Sequence, residues 1–147
     1  MSIFFKIKEI KNTLKWRCQR FMRGYADVDV WNIDSWFVKT MAPMLKQFRE
    51  NSISHPSTYS LNEAADYLGQ QNWHVTSDKE GAAIWQAIIQ RLEDALVEMG
   101  KDPLAEVDFS MSNEEVQQAI DLALDKQTQA KNEFFKTFSA VFYDLWD

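Results

Sequence analysis

RGYADVDVWNIDSWFVKTMAPMLKQF, residues 23–48, is the stretch whose reading decides the fold. It opens as a turn and continues as an amphipathic helix. Val30, Phe37, Met41, Met44, Leu45 and Phe48 recur at three- and four-residue spacing, which lines one helical face. The spacing predicts a helix from near Asp27 to about Glu50. Asp27 is placed to accept a bond from a free backbone N–H of the first turn, and Asp29 suits the positive end of the helix dipole. Gly24 gives the preceding turn access to positive φ. Pro43 removes a backbone donor inside the pattern, so a kink is expected near residues 39–43. Asp34 falls beside the apolar stripe, between Trp31 and Trp36. A buried carboxylate without a partner is very costly, so Arg23, Tyr25 or an indole N–H is expected to hold it. Arg23, Tyr25, Asp27, Trp31, Asp34 and Trp36 are therefore the candidate binding residues. Their bland reading is a polar link locking turn to helix, and their sharper one a ligand-facing acid.

The remaining chain continues the helical pattern. Ser77–Met99 carries an apolar face of Ile84, Trp85, Ile88, Leu92, Ala95, Leu96 and Met99, with Arg91, Glu93, Asp94 and Glu98 as a solvated face and Gly100 as its end. From Ser112 to Asp147 a longer helix is expected, with Val116, Ile120, Ala123, Ala130, Phe134, Phe138, Val141 and Leu145 in register. Its polar middle, residues 125–132, is the place for a bend or local exposure. Ser60 with Glu63, Ser77 with Glu80 and Ser112 with Glu115 each have capping-box spacing. The first would start a short helix that Gly69 ends. Residues 51–60 read as a loop, because Pro56 disfavours helix at His55. Residues 70–76 read as a loop pinned by Trp73 or a short extended piece.

Only four glycines and three prolines leave little room for the turns of an all-β fold. The expected architecture is all-α: a compact domain of four or five helices with a long C-terminal helix and a basic N-terminal helix. Residues 1–22 form the basic arm and residues 23–147 the helical core domain.

Charge is polarised along the chain. Residues 1–23 hold seven Lys or Arg against one acid, so they carry +6 of a net −6 and the remainder carries −12. Ile3, Ile7, Ile10, Leu14, Cys18 and Phe21 form a stripe on this arm, with Trp16 offset from it. Four uses compete: docking the stripe on the body, binding nucleic acid through a basic face of Lys11, Lys15, Arg17 and Arg20, lying on an anionic membrane surface with Phe4, Phe5 and Trp16 inserted, or holding a protein partner. At the other end, Phe142, Tyr143 and Trp146 make an aromatic surface for a partner protein or a homo-oligomer through the C-terminal helix.

Several function classes lack their signature. One cysteine, Cys18, excludes an internal disulfide. It and the distant His55 and His74 do not make a zinc site, so neither metal nor cofactor is expected. No apolar run has the length of a transmembrane segment. Gly-rich phosphate loops, nucleophile elbows and zinc-protease motifs are missing, and no catalytic residue is assigned. Asp27 and Asp34, seven residues apart on one face, could flank Arg23 or bind a cation, and sequestration or hydrolysis of a small nucleotide would need an acidic, aromatic cleft there.

Three pieces together resemble an uncharacterised family of tailed-bacteriophage proteins. They are Arg23, Gly24, Tyr25, Asp27, Asp29, Trp31 and Asp34 in the turn and early helix, then Trp85 with Ile88 and Ile89, then the closing Leu145, Trp146 and Asp147. Ala26 stands where that pattern has serine, and residues 59–75 are longer than the pattern. The resemblance implies an all-α fold, a phage or prophage origin and work in the host cytoplasm. It implies no known activity. The expected function is that of a non-enzymatic phage accessory protein that binds a host or phage protein.

Overall fold

A computed structural model describes residues 3–105 and 107–145, with side chains from Glu9 onward. The protein is all-α: 77% of it is helical, and the described residues contain no strand. Among the described residues five α-helices follow in order: α1 (Ile3–Arg23), α2 (Ile33–Asn51), α3 (Thr58–Leu68), α4 (Asp78–Met99) and α5 (Asn113–Val141). Single 3-10 turns lie at Asp29–Trp31, Gln71–Trp73 and Phe142–Asp144. The chain divides into two compact units, Met1–Phe37 and Val38–Asp147. The first turn of α2 belongs to the former and the rest of that helix to the latter.

In the second unit α4 is the central element. Trp85, Ile88, Ile89, Leu92 and Leu96 along it are fully buried. Its main neighbour is α5, which contributes buried Phe134, Thr137 and Val141. Helix α3 adds Leu61, Ala64, Ala65 and Leu68, packed against both. From α2, Leu45 is buried and Phe48 meets Trp85 edge-on, with ring centroids 6.2 Å apart. A helix with so wide an apolar stripe must be covered on several sides, and these three neighbours cover it.

Glu93 corrects the expected solvated face of α4. It is buried on the flank next to Ile89 and forked by Arg49 from α2, Nε to Oε1 at 2.5 Å and Nη2 to Oε2 at 3.3 Å. The paired carboxylate raises the Arg49 pKa against the opposing effect of desolvation. Charge at a stripe's edge reads as exposed in sequence. Here the opposite charge arrives from 44 residues upstream.

Turn chemistry sets the helix ends. Ser112 and Glu115 form the full capping box at the start of α5: the hydroxyl accepts from Glu115 N–H, and the carboxylate from Ser112 N–H at 3.0 Å. At α4, Ser77 accepts from Glu80 N–H, while the Glu80 carboxylate reaches one residue further back, to Thr76 N–H and Oγ1 at 2.9 Å each. The start of α3 is corrected from Ser60 to Thr58, because Ser57 supplies the cap by accepting from Ser60 N–H at 3.2 Å. Gly69 ends α3 at φ +71°. Asn62 then clamps the following segment with both amide atoms, accepting from Val75 N–H at 2.8 Å and donating to Val75 C=O at 3.2 Å. That clamp holds Trp73 and Val75 in the core, where both are buried.

Helix α5 passes through the polar 125–132 stretch without interruption and is about 43 Å long at 1.5 Å per residue. It ends at Val141 rather than continuing to Asp147 as a helix. None of its residues before Phe134 is buried; Val116, Ile120, Ala123 and Ala130 form a half-buried inner stripe. Helix α2 likewise runs on through Pro43.

In the first unit, α1 closes where Gly24 N–H donates to Arg20 C=O at 2.9 Å, and Gly24 turns the chain at φ +80°. The expected helix start at Asp27 is corrected to Ile33. Asp29 N–H bonds back to Ala26 C=O, the 3-10 turn follows, and Asn32 sits at φ −135°, outside helical space. The first α-helical bond runs from Trp36 N–H to Asn32 C=O, 2.9 Å.

Candidate functional site

The expected polar link is present, but Asp29 makes it, not Asp34. Asp29 is buried and receives a fork from Arg20: Nε to Oδ2 at 2.9 Å and Nη2 to Oδ1 at 2.6 Å. Ala26 N–H donates to the same carboxylate at 2.7 Å. Charge-assisted bonds of this bidentate kind are the strong ones. They tie the last turns of α1 to the 3-10 turn and raise the Arg20 pKa. Asp34 lies in the first turn of α2 with its side chain exposed. Its expected place beside the stripe assumed that Val30 was already helical; Val30 belongs to the 3-10 turn.

Asp27 is also an anchor for α1 rather than a helix cap. Its carboxylate accepts from Gln19 Nε2 at 2.7 Å, from Lys15 Nζ at 2.9 Å and from Arg23 Nη2. Its N–H donates to Gln19 Oε1 at 3.0 Å. The Gln19, Lys15 and Arg23 bonds hold this carboxyl well below the usual range. Arg23 also donates to Tyr25 C=O at 3.0 Å and lies 4.7 Å over the Tyr25 ring. Of the six candidate binding residues, Arg23, Tyr25 and Asp27 are thus brought together in one exposed cluster. Trp31 in the 3-10 turn and Asp34 in the first turn of α2 are exposed, and Trp36 is half-buried.

These pairings sort the basic face. Lys15 and Arg20 are engaged with Asp27 and Asp29, whereas among the described residues no ion pair involves Lys11 or Arg17. Asn12, Trp16 and Gln19 form the half-buried face of α1, while Ile10, Leu14, Cys18 and Phe21 are exposed. The Trp16 ring therefore sits away from the apolar stripe, not among residues that would insert with it. The side chains of Phe4 and Phe5 lie outside the described residues.

The aromatic end of α5 in the second unit makes another surface. Phe134, fully buried, stacks on Phe138 at 5.3 Å; Phe138 meets Phe142 at 5.3 Å, and Phe142 meets Tyr143 at 5.3 Å. The ladder climbs from the core to Tyr143, which is 83% exposed. Phe135, Ser139 and Phe142 recur at four and three residues on one face of the helix, and Ser139 Oγ donates to the hydroxyl of exposed Tyr67 at 3.4 Å. Tyr59, Glu63 and Tyr67 share one face of α3. Partial burial, and after it the Glu63 charge, push the Asp144 carboxyl up. Trp146, assigned to this surface from sequence, lies outside the described residues, as does Asp147. Sequence reasoning missed Tyr59 and Tyr67; their four-fold repeat through Glu63 on an amphipathic helix was the available signal.

His74 Nε2 lies 2.8 Å from Asp66 Oδ1, and His55 packs over Gly81. Among the described residues no cluster of His, Cys, Asp or Glu is placed to hold a metal ion, and no helix is long and apolar enough to cross a membrane. Comparison with protein-family models, with curated proteins and with solved structures finds no match.

Proposed function

We propose that the chain is a phage-encoded accessory protein, working in the host cytoplasm, that binds another protein rather than catalysing a reaction. The phage origin rests on the turn, the Trp85 helix and the closing residues quoted above. The observation that carries the binding reading is the aromatic patch around Ser139, made by Tyr67, Phe135, Phe142 and Tyr143. Contact surfaces between proteins are enriched in tyrosine and phenylalanine, which bring large area at small entropic cost. The ladder below supports the patch, since Phe142 rests on Phe138 and Phe138 on buried Phe134. A pre-arranged ring loses little freedom on binding.

The test is affinity capture from infected cells with the tagged full chain, alongside Phe142→Ser and Tyr143→Ser variants. A stoichiometric protein captured by the parent chain and lost with both variants supports the reading. Capture unaffected by either substitution removes the patch from consideration. Light scattering on the purified chain separates a foreign partner from a second copy.

A further inference from the structure

We propose that α1 seats the protein on an anionic lipid surface, with its apolar stripe toward the acyl chains and Lys11 and Arg17 meeting the headgroups on either flank. This rests on the first unit alone and is independent of the aromatic patch.

At 100° per residue, Ile10, Leu14, Cys18 and Phe21 fall within an arc of about 80°. Arg17 borders one edge of that arc and Lys11 the other. All six are exposed, with Ile10 at 59%, Leu14 at 60% and Phe21 at 92%. The half-buried side of the helix is the opposite one, Asn12, Trp16 and Gln19. An amphipathic helix usually turns its apolar side inward. Here the half-buried face holds Trp16 between two polar residues, and the Ile10, Leu14, Cys18 and Phe21 stripe faces out.

The cations follow the same division. Lys15, Arg20 and Arg23 are held by Asp27 and Asp29, and their work is to fix the turn against α1. Lys11 and Arg17 stand beside the stripe without such acids. Long cationic side chains beside an apolar stripe suit an interface, because the stem covers apolar surface while the head reaches phosphate. Nucleic acid is the weaker match. Three of the five cations from Lys11 to Arg23 are already paired with Asp27 and Asp29, and a phosphate backbone would leave Ile10, Leu14 and Phe21 in water. An anionic bilayer accepts both the charge and the apolar rows. The helix is about 31 Å long and lies in the plane of the interface instead of crossing it.

The experiment is co-sedimentation of the full chain with phosphatidylglycerol-containing vesicles and with pure phosphatidylcholine vesicles, with a DNA duplex retention assay beside it. Binding to the anionic vesicles that weakens with salt is expected. Leu14→Ser should weaken it about tenfold or more, since it removes a buried apolar side chain from the bound state. Lys11→Ala and Arg17→Ala should each weaken it about fivefold. Circular dichroism of each variant verifies that the helix content is kept, and Ile10→Ser repeats the test at a second stripe position. Equal binding to both vesicle types, no vesicle binding, or indifference to Leu14→Ser and Ile10→Ser would overturn the proposal. Duplex binding lost with Lys11 and Arg17, without vesicle binding, would assign the arm to nucleic acid instead.

Discussion

Arg49 on α2 holds the buried Glu93 of α4 in a two-bond fork, and Gln86 Nε2 of α4 donates to the Arg49 carbonyl at 3.3 Å. Together with the Phe48–Trp85 ring contact, this is how α2 is joined to α4. The fork is asymmetric in consequence. Arg49→Met leaves a carboxylate buried and unpaired, and the penalty on Glu93 is about 3 kcal/mol. Arg49→Met combined with Glu93→Leu removes both charges and should recover most of that loss. Urea titrations of the three chains give the comparison. Additive losses in the double variant would show that the two residues do not act as a pair.

The two aspartates that sequence spacing confused make a second prediction. Asp29→Ala removes the acceptor shared by Arg20 and the Ala26 amide, so amide exchange through residues 24–32 should speed up at least about tenfold. Asp34→Ala should change exchange there little, because its side chain is exposed. Hydrogen–deuterium exchange with peptide resolution reads both. A larger effect from Asp34 would make Asp34, not Asp29, the acid that holds the turn.

What was legible in sequence follows a physical division. Helices α4 and α5 carry long 3.6-period stripes, and their starts are written in Ser and Glu at fixed spacing, so their existence and inner faces could be read. Gly24 and Gly69 marked turns that do adopt positive φ. Sequence spacing starts the helix after Gly24 too early, because a 3-10 turn has no distinctive period and Val30 falls by chance at helical spacing. That slip moved the buried acid from Asp29 to Asp34. Glu93 and Asn62 were missed for another reason. A polar residue is buried only when a partner arrives, and those partners, Arg49 and the Val75 backbone, lie 44 and 13 residues away. The candidate binding residues were legible as residue types. Which cations of α1 are spent on Asp27 and Asp29, and which remain beside the stripe, needed the fold.

Gly81 lies under the His55 ring. A Cβ there would come within 2.8 Å of His55 Cε1 and 3.3 Å of Leu61 Cδ1. Alanine gains about 1 kcal/mol over glycine in a helix interior. Displacing the ring should more than cancel that gain, so Gly81→Ala is expected to destabilise by about 1 kcal/mol. In a His55→Ala background the main obstruction is gone, and the same substitution should become neutral or stabilising. A double-mutant cycle by thermal melting measures the coupling. Independent, additive effects would mean that the ring does not press on the glycine.

The capping carboxylates give a pH prediction. Bonds from the Ser112 hydroxyl and N–H lower the Glu115 pKa, and those from Thr76 lower that of Glu80. A carboxyl depressed on folding contributes stability above its unfolded pKa and loses it as pH falls through the folded value. Stability should therefore fall from about pH 4.5 downward, the unfolded range for a glutamate. Glu115→Gln should lower Tm slightly at neutral pH, and the gap from the parent chain should narrow as the pH drops below that point. A gap that widens with acid would contradict the assigned sign.

The aromatic ladder separates stability from recognition along one helix. Phe134 is fully buried and stacked on Phe138, so Phe134→Ala should cost about 3–5 kcal/mol through lost burial and the cavity left behind. Two turns later Phe142 is half exposed, and its removal leaves no enclosed void; Phe142→Ala should cost about 1 kcal/mol or less. Denaturant midpoints of the two variants would establish the order. If Phe142→Ala proved as damaging as Phe134→Ala, the outer rings would belong to the core, and loss of partner capture in that variant would no longer report on recognition. If it melts like the parent chain, any loss of binding belongs to the surface.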